Sequence, residues 1–130
     1  MSLRKVVEYV KKHKNFLITS HTNPEGDALG SELAFYHLVR RLGKAATVIN
    51  EDSLPYGYEF MPYKNKLIKF KDNLKDIKFD CFVALDCSDL ARTGEVYRLN
   101  SQRKPVLNID HHISNQKFGD VNWVEPAASS

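Results

Sequence analysis

Val106-Leu107-Asn108-Ile109-Asp110-His111-His112 is the stretch on which the reading of this fold turns. Its first four residues have the length and bounding of a buried strand, opened by Pro105, and three ionisable residues stand directly at its end. Two further stretches repeat the pattern. Asp86 follows Phe82-Val83-Ala84-Leu85, and His21, Glu25 and Asp27 follow Phe16-Leu17-Ile18-Thr19. In an open parallel sheet the carboxyl ends of the strands form the ligand side. Three separate stretches therefore aim carboxylates and imidazoles at one place.

Outward from these strands, the order is helix, strand, helix, strand, an irregular stretch, strand, helix, strand. Ser2 is placed to cap a first helix whose apolar positions Leu3, Val6, Val7 and Val10 keep helical spacing, with Lys11, Lys12 and Lys14 at its C-terminal dipole end. A second helix is predicted over about residues 28–42, with Phe35, Leu38, Val39 and Leu42 as its inner stripe and Gly43 as its C-terminal cap. Residues 46–50 read as a strand, residues 52–79 show no sustained period, and residues 93–100 read as a short helix. Alternating strands and helices imply an α/β fold, a Rossmann-like open parallel sheet with helices on both faces. Because the residues after the first strand must face Asp86 and His111, the first and third strands are expected to be neighbours, in the order two, one, three, four.

A chain of 130 residues amounts to one domain and can bury a core without metal or disulfide staples. Hydrophobic content of 42% and charged content of 27% are those of a soluble protein. No apolar run approaches the roughly 20 residues that span a bilayer, so no membrane partner is expected. Met1-Ser2-Leu3-Arg4 lacks the pattern of a signal peptide, which makes the cytoplasm the expected location. Cys81 and Cys87, in or at the end of one strand, read as buried or strand-end thiols rather than a disulfide. A formal net charge of +3 carries little information about partners.

In the loop from Ser20 to Ser31, Pro24 and Gly26 force a compact turn, which lets His21, Glu25 and Asp27 converge. A histidine with two alternate carboxylates suits a divalent metal, although Asp27 as a helix cap and His21 as a surface residue fit the same letters. Neither G-x-x-x-x-G-K-[ST] nor G-x-G-x-x-G occurs, so nucleotide-phosphate loops fit worse. A carboxylate at the middle of the sheet's C-terminal edge, as Asp86 would be, can bridge two cations about 3.5 to 4 Å apart, although Asp86 also fits as an N-cap. Asp110, His111 and His112 together would be costly at a strand end without partners such as metal or phosphate.

His21-x-Asn23-Pro24-Glu25-Gly26-Asp27-Ala28-x-Gly30-Ser31, then Ala84-Leu85-Asp86, then Asp110-His111-His112, resemble the first three motifs of the DHH phosphoesterases. The likeness spans nearly the whole chain, including Asn122-Trp123-Val124-Glu125-Pro126, and is strongest to the oligoribonucleases (nanoRNases) that also remove phosphate from phosphoadenosine phosphate. Gly26 between the two acids resembles the nuclease and phosphatase branches rather than the family II pyrophosphatases, which tend to carry Thr.

The resemblance implies a metal-dependent phosphoesterase that uses two Mn²⁺ ions, with Mg²⁺ as the alternative. His21, Glu25 and Asp86 would hold one ion, and Asp27, Asp86 and His111 the second. His112 would face the substrate phosphate, Asp110 would orient the histidines, and Arg92 would offer a phosphate contact. The implied partner is a short oligonucleotide or nucleotide substrate, with a homodimer left open. Cyclic dinucleotides, single-stranded DNA (as for RecJ-like exonucleases), polyphosphate, or a non-catalytic metal- or nucleotide-binding module are the alternatives.

Two departures stand out. Glu25 replaces the usual Asp, which adds a methylene, and the chain stops at Ser130, ahead of the family's fourth motif and second domain. Residues 1–130 are thus expected to be the N-terminal catalytic domain of a longer enzyme, poorly active by itself.

Overall fold

Strands built from those apolar runs pair into one parallel sheet in a computed structural model, which describes residues 3–72, 74 and 77–130. The elements are α1 (Leu3–Lys12), β1 (Asn15–Thr19), α2 (Gly26–Arg41), β2 (Ala45–Asn50), β3 (Leu67–Lys69), β4 (Cys81–Leu85), β5 (Val106–Asp110) and β6 (Val121–Val124). Short 3₁₀ turns cover Lys64–Lys66 and Leu90–Leu99, the latter broken by a kink at the non-helical Gly94. The strand order is β3-β2-β1-β4-β5-β6, and every pair is parallel. Its centre is the order expected from sequence. β3 and β6, of three and four residues, are additions that were too short to carry a period of their own.

Alternation along β1 divides the core. Phe16 and Ile18 face Val6, Val10, Phe35 and Val39 of the two α-helices, while Leu17 faces Phe82, Val96 and Ile49 on the other side. That second side is covered by the 3₁₀ segment Leu90–Leu99 and by Phe70, Phe79 and Phe118, so helical segments lie on both faces but the α-helices on only one. Phe16 meets Phe35 edge-on at 5.9 Å and Phe82 meets Tyr97 at 5.1 Å. Side chains of this size contribute about 1.5–3 kcal/mol each when fully buried.

The helices differ from expectation in which residues they bury. In α1 only Val6 and Val10 are buried, and Leu3 and Val7 face outward, because the helix sits at the β6 end of the sheet. Ser2, the expected cap, lies outside the described residues. α2 buries Ala28, Leu29, Glu32, Leu33, Phe35 and Val39, whereas Leu38 and Leu42 are about half exposed, at 49% and 53%. Its end follows the sequence. Gly43 takes φ +79°, its N–H donates to the Arg40 carbonyl at 3.0 Å, and the Lys44 N–H donates to that of Val39 at 3.0 Å, closing a Schellman motif.

Lys44 then reaches the open end of α1. Its ammonium donates to the carbonyls of Val10, Lys11 and His13 at 2.5, 2.8 and 2.6 Å. Those carbonyls form the negative end of the helix dipole. Lys44→Met should therefore cost about 2 kcal/mol, read as a lower melting temperature, whereas Lys44→Arg should recover most of it. A melting curve unchanged in Lys44→Met would refute the cap.

Cys81 and Cys87 are free and buried, and burial pushes both thiols up to about 12, so they remain protonated and inert. No helix among the described residues is long and apolar enough to cross a membrane. The sheet order reverses between β1 and β4, which makes their carboxyl ends, with that of β5 beside them, the crevice of the fold.

Candidate metal centre

Asp86 occupies that crevice one residue past β4. Its amide donates to the Ile109 carbonyl at 3.0 Å, and its backbone is left-handed, with φ +53°. A non-glycine residue pays roughly 1–2 kcal/mol for this conformation, least for Asp and Asn. The turn directs the carboxylate across the neighbouring strand ends. Oδ1 lies 3.0 Å from His111 Nε2, and Oδ2 lies 3.6 Å from His21 Nε2. Asp27 joins from the first turn of α2, with Oδ2 at 3.2 Å from the same His111 Nε2 and Oδ1 accepting from the Ser130 hydroxyl.

The opposite edges of the two imidazoles fix their tautomers. His21 Nδ1 lies 2.6 Å from the Thr22 carbonyl and His111 Nδ1 lies 3.2 Å from that of Ala128. A carbonyl only accepts, so each Nδ1 carries the hydrogen and each neutral ring turns an Nε2 lone pair toward carboxylate oxygen. Lone pairs facing lone pairs require a cation between them. Protons can supply it, and so can a divalent metal, for which imidazole and carboxylate are ordinary ligands. The residues present thus fit a metal centre.

Asp110 and His112 lie beside these groups and are paired with each other. One candidate ligand atom from each of Asp86, Asp110, His111 and His112 lies within 4.8 Å of the others. Both Asp110 oxygens are already engaged, however: Oδ1 accepts from His112 Nδ1 at 2.7 Å and Oδ2 from Asn115 Nδ2 at 2.8 Å. Asp110 is buried and orients His112, whose Nε2 is left free on a ring 43% exposed. Asn115 also reaches Asn108 Oδ1 at 2.8 Å, and Asn108 donates to the carbonyls of Ala84 and Cys87. This asparagine pair was not singled out from sequence. The signal was the polar Asn108 in the middle of an apolar strand.

Two expected site residues stand apart. Glu25 is the exposed N-cap of α2, its carboxylate lies outside the cluster, and it reaches His21 through its charge alone. Arg92 meets the site through its carbonyl, not its guanidinium: the carbonyl accepts from the Thr22 N–H at 2.6 Å, while the guanidinium pairs with Asp89 at 3.6 Å on the surface. Beside Asp86 and His111 opens a cavity of about 370 Å³ walled by Phe35, Leu38, Ile109 and Trp123. An apolar wall lowers the local dielectric and strengthens interactions among the charges next to it.

Protonation follows from these contacts. Asp86 lifts His21 above its ordinary 6.5, chiefly by hydrogen bonding. Burial works against the imidazolium of His111, but the Ala128 carbonyl and Asp86 outweigh it and raise that ring as well. Burial also opposes the Asp86 carboxylate, yet its histidine partners hold it below 3.8. The folded-state histidine values are raised, so their stabilising contribution to the metal-free protein is complete below about pH 6.5 and is lost as pH climbs through the raised values. Metal competes for the same lone pairs. From about pH 6 to about pH 8.5, melting in chelator should therefore fall while Mn²⁺ affinity measured by titration rises. An affinity independent of pH over that range would contradict the assignment.

A Rossmann-like sheet with a carboxylate–imidazole cluster at its switch point defines a class that the comparisons make specific. The DHH family, N-terminal domain, matches residues 15–130, and the chain belongs to that family. It is 30% identical over 130 residues to the bifunctional oligoribonuclease and PAP phosphatase NrnA of Thermus thermophilus, covering 98% of this chain and 37% of that protein. The NrnA of Bacillus subtilis is 22% identical over 133 residues, covering 96% and 38%. The crystal structure of an exopolyphosphatase-related protein from Bacteroides fragilis superposes with a TM-score of 0.85 at 25% identity, over 98% of this chain and 39% of that one. The chain thus spans well under half the length of these relatives.

Proposed function

We propose that this protein is a divalent-metal-dependent phosphoesterase that hydrolyses short oligonucleotides, phosphoadenosine phosphate, or both, with Mn²⁺ as the preferred metal. The observation that carries the reading is the division of Asp86: one oxygen faces His21, the other faces His111 and, through it, Asp27. His21, Glu25 and Asp86 would hold one ion, Glu25 from its exposed place ahead of α2. Asp27, Asp86 and His111 would hold the other. When bound, the metal pair supplies charge neutralisation and water activation for in-line attack at phosphorus.

The chain's own residues do the rest. His112, whose Nδ1–H donates to Asp110, presents Nε2 to the site, and in its imidazolium form it would donate from Nε2 to a phosphoryl or leaving oxygen. Asn115 locks Asp110 in place, so the ring orientation is set before substrate arrives. The names of the Thermus and Bacillus relatives support the choice of substrates.

The test is Mn²⁺-dependent hydrolysis of a dinucleotide and of phosphoadenosine phosphate, with cyclic dinucleotide and polyphosphate as competing substrates. It should be run on this chain beside a polypeptide of the relatives' length. Hydrolysis of polyphosphate alone, or of nothing by either polypeptide, would overturn the proposal. In the active polypeptide His112→Ala should lower kcat about 10²- to 10⁴-fold with Mn²⁺ affinity little changed. An equal loss of metal binding would make His112 a ligand instead.

A further inference from the structure

The turn from His21 to Glu25, which leads into Asp27 in the first turn of α2, has little regular structure of its own. Asn23 is left-handed, with φ +54°, Pro24 has no N–H, and Glu25 is extended ahead of α2. What fixes it comes largely from one neighbouring segment. The Asn23 N–H donates to Asp52 Oδ2 at 2.7 Å, and the Gly26 N–H donates to the Tyr58 hydroxyl at 3.0 Å. These two amides flank Glu25, and Asp27 follows directly.

Resting on the metal reading above, we propose that the segment after β2 is a strap that sets the ligand-bearing turn, with Asp52 and Tyr58 as positioning residues of the metal centre. Gly26 is shaped for it. A Cβ at that position would meet the Tyr58 ring at 3.3 Å, so a larger residue would press the ring away from the amide it accepts from. Contacts to α2 lie on both sides of the strap's turn contacts, one at the last residue of β2 and one within the strap. Asn50 donates to Glu32 at 2.8 Å, and the Tyr63 ring meets His37 edge-on at 4.4 Å. Between those anchors the segment contributes little to the core, since Tyr56 and Phe60 are 98% and 79% exposed. Its two ordered polar contacts therefore act on the turn rather than on global packing. Ligand geometry must be held within about 0.5 Å to be productive, and such precision comes from hydrogen bonds that lock the ligand-bearing segment, as those of Asp52 and Tyr58 do here.

The experiment is calorimetric Mn²⁺ titration of the 130-residue chain and of Asp52→Ala, Asp52→Asn and Tyr58→Phe. Melting in chelator and amide hydrogen exchange across residues 22–27 accompany it. Tyr58→Phe keeps the ring and removes only the acceptor, and Asp52→Asn retains an accepting oxygen. Asp52→Ala and Tyr58→Phe should each weaken Mn²⁺ binding about three- to tenfold, the range expected for one net hydrogen bond, and speed exchange of the turn amides. Asp52→Asn should stay within about twofold of the parent, and the chelator melting temperatures should not move. Variants that bind Mn²⁺ like the parent overturn the strap alone, as does weakening that merely follows a fall in melting temperature. A parent chain that binds no Mn²⁺ overturns the metal reading and the strap's role in it together.

Discussion

Asp86→Asn should abolish measurable two-ion Mn²⁺ binding, weakening affinity by at least about a hundredfold, and should remove turnover in the active polypeptide. Losing a partner that merely supports a ligand typically costs 10–100-fold, and Asp86 faces His21 and His111 with different oxygens at 3.6 and 3.0 Å, so in Asp86→Asn one ion would lose its Asp86 ligand and the other would keep only a neutral amide oxygen, with the bridging charge gone from both. Asparagine tolerates the left-handed backbone at this position, φ +53°, about as well as aspartate does, and so isolates the charge. Asp86→Ala adds backbone strain of roughly 1–2 kcal/mol. Comparing the two by melting and by metal titration separates strain from ligation. In Asp86→Asn the metal-free imidazoles of His21 and His111 should also fall back toward or below their ordinary range, because Asp86 is a principal group raising them. Near-parental Mn²⁺-dependent rate in Asp86→Asn would end the bridging assignment.

Glu32→Gln should stabilise the protein at neutral pH. Glu32 is wholly buried, its Oε1 accepts from Asn50 Nδ2 at 2.8 Å, and its Oε2 has no partner among the described residues. Ser20 lies close enough to ease ionisation slightly but offers no well-formed hydrogen bond. Burial pushes the carboxyl from 4.5 to about 8. With the folded value raised, the contribution to stability is complete below about pH 4.5 and is lost as pH rises toward 8. By pH 7 the loss is of order 3 kcal/mol as an upper bound. Glutamine keeps the shape and the acceptor and carries no titration, so the gain should be about 1–3 kcal/mol near pH 7 and vanish near pH 4.5. Denaturant melts at both pH values measure it. Equal stability of parent and variant at neutral pH would show that the carboxyl is not held protonated.

The strand ends were legible because a buried strand tolerates few polar residues, so Asp86, Asp110 and the histidines stand out against the apolar runs before them. The sheet order followed from the need for those ends to meet. Glu32 was open to the same reasoning, since it falls among Leu29 and Leu33 in the buried stripe of α2, but Leu38 and Leu42 suggested a stripe rotated toward them. Nothing local marked β3, whose three residues become a strand only by pairing with Val48, Ile49 and Asn50. Asp52 and Tyr58 lay in the stretch with no period, where only long-range contact gives a residue its role.

By itself, the sequence determined the α/β class, the parallel sheet, and the convergence of acids and imidazoles at its carboxyl edge, because hydrophobic periodicity and strand polarity are local properties. The tertiary structure decided the rest: which oxygen of Asp86 meets which histidine, that Asp110 is occupied by His112 and Asn115, that the Arg92 guanidinium turns to Asp89, and that Glu25 stands outside the cluster. These are matters of tenths of an ångström and of competing partners. They are set by backbone conformation and by neighbours distant in the chain, and no spacing of letters encodes them.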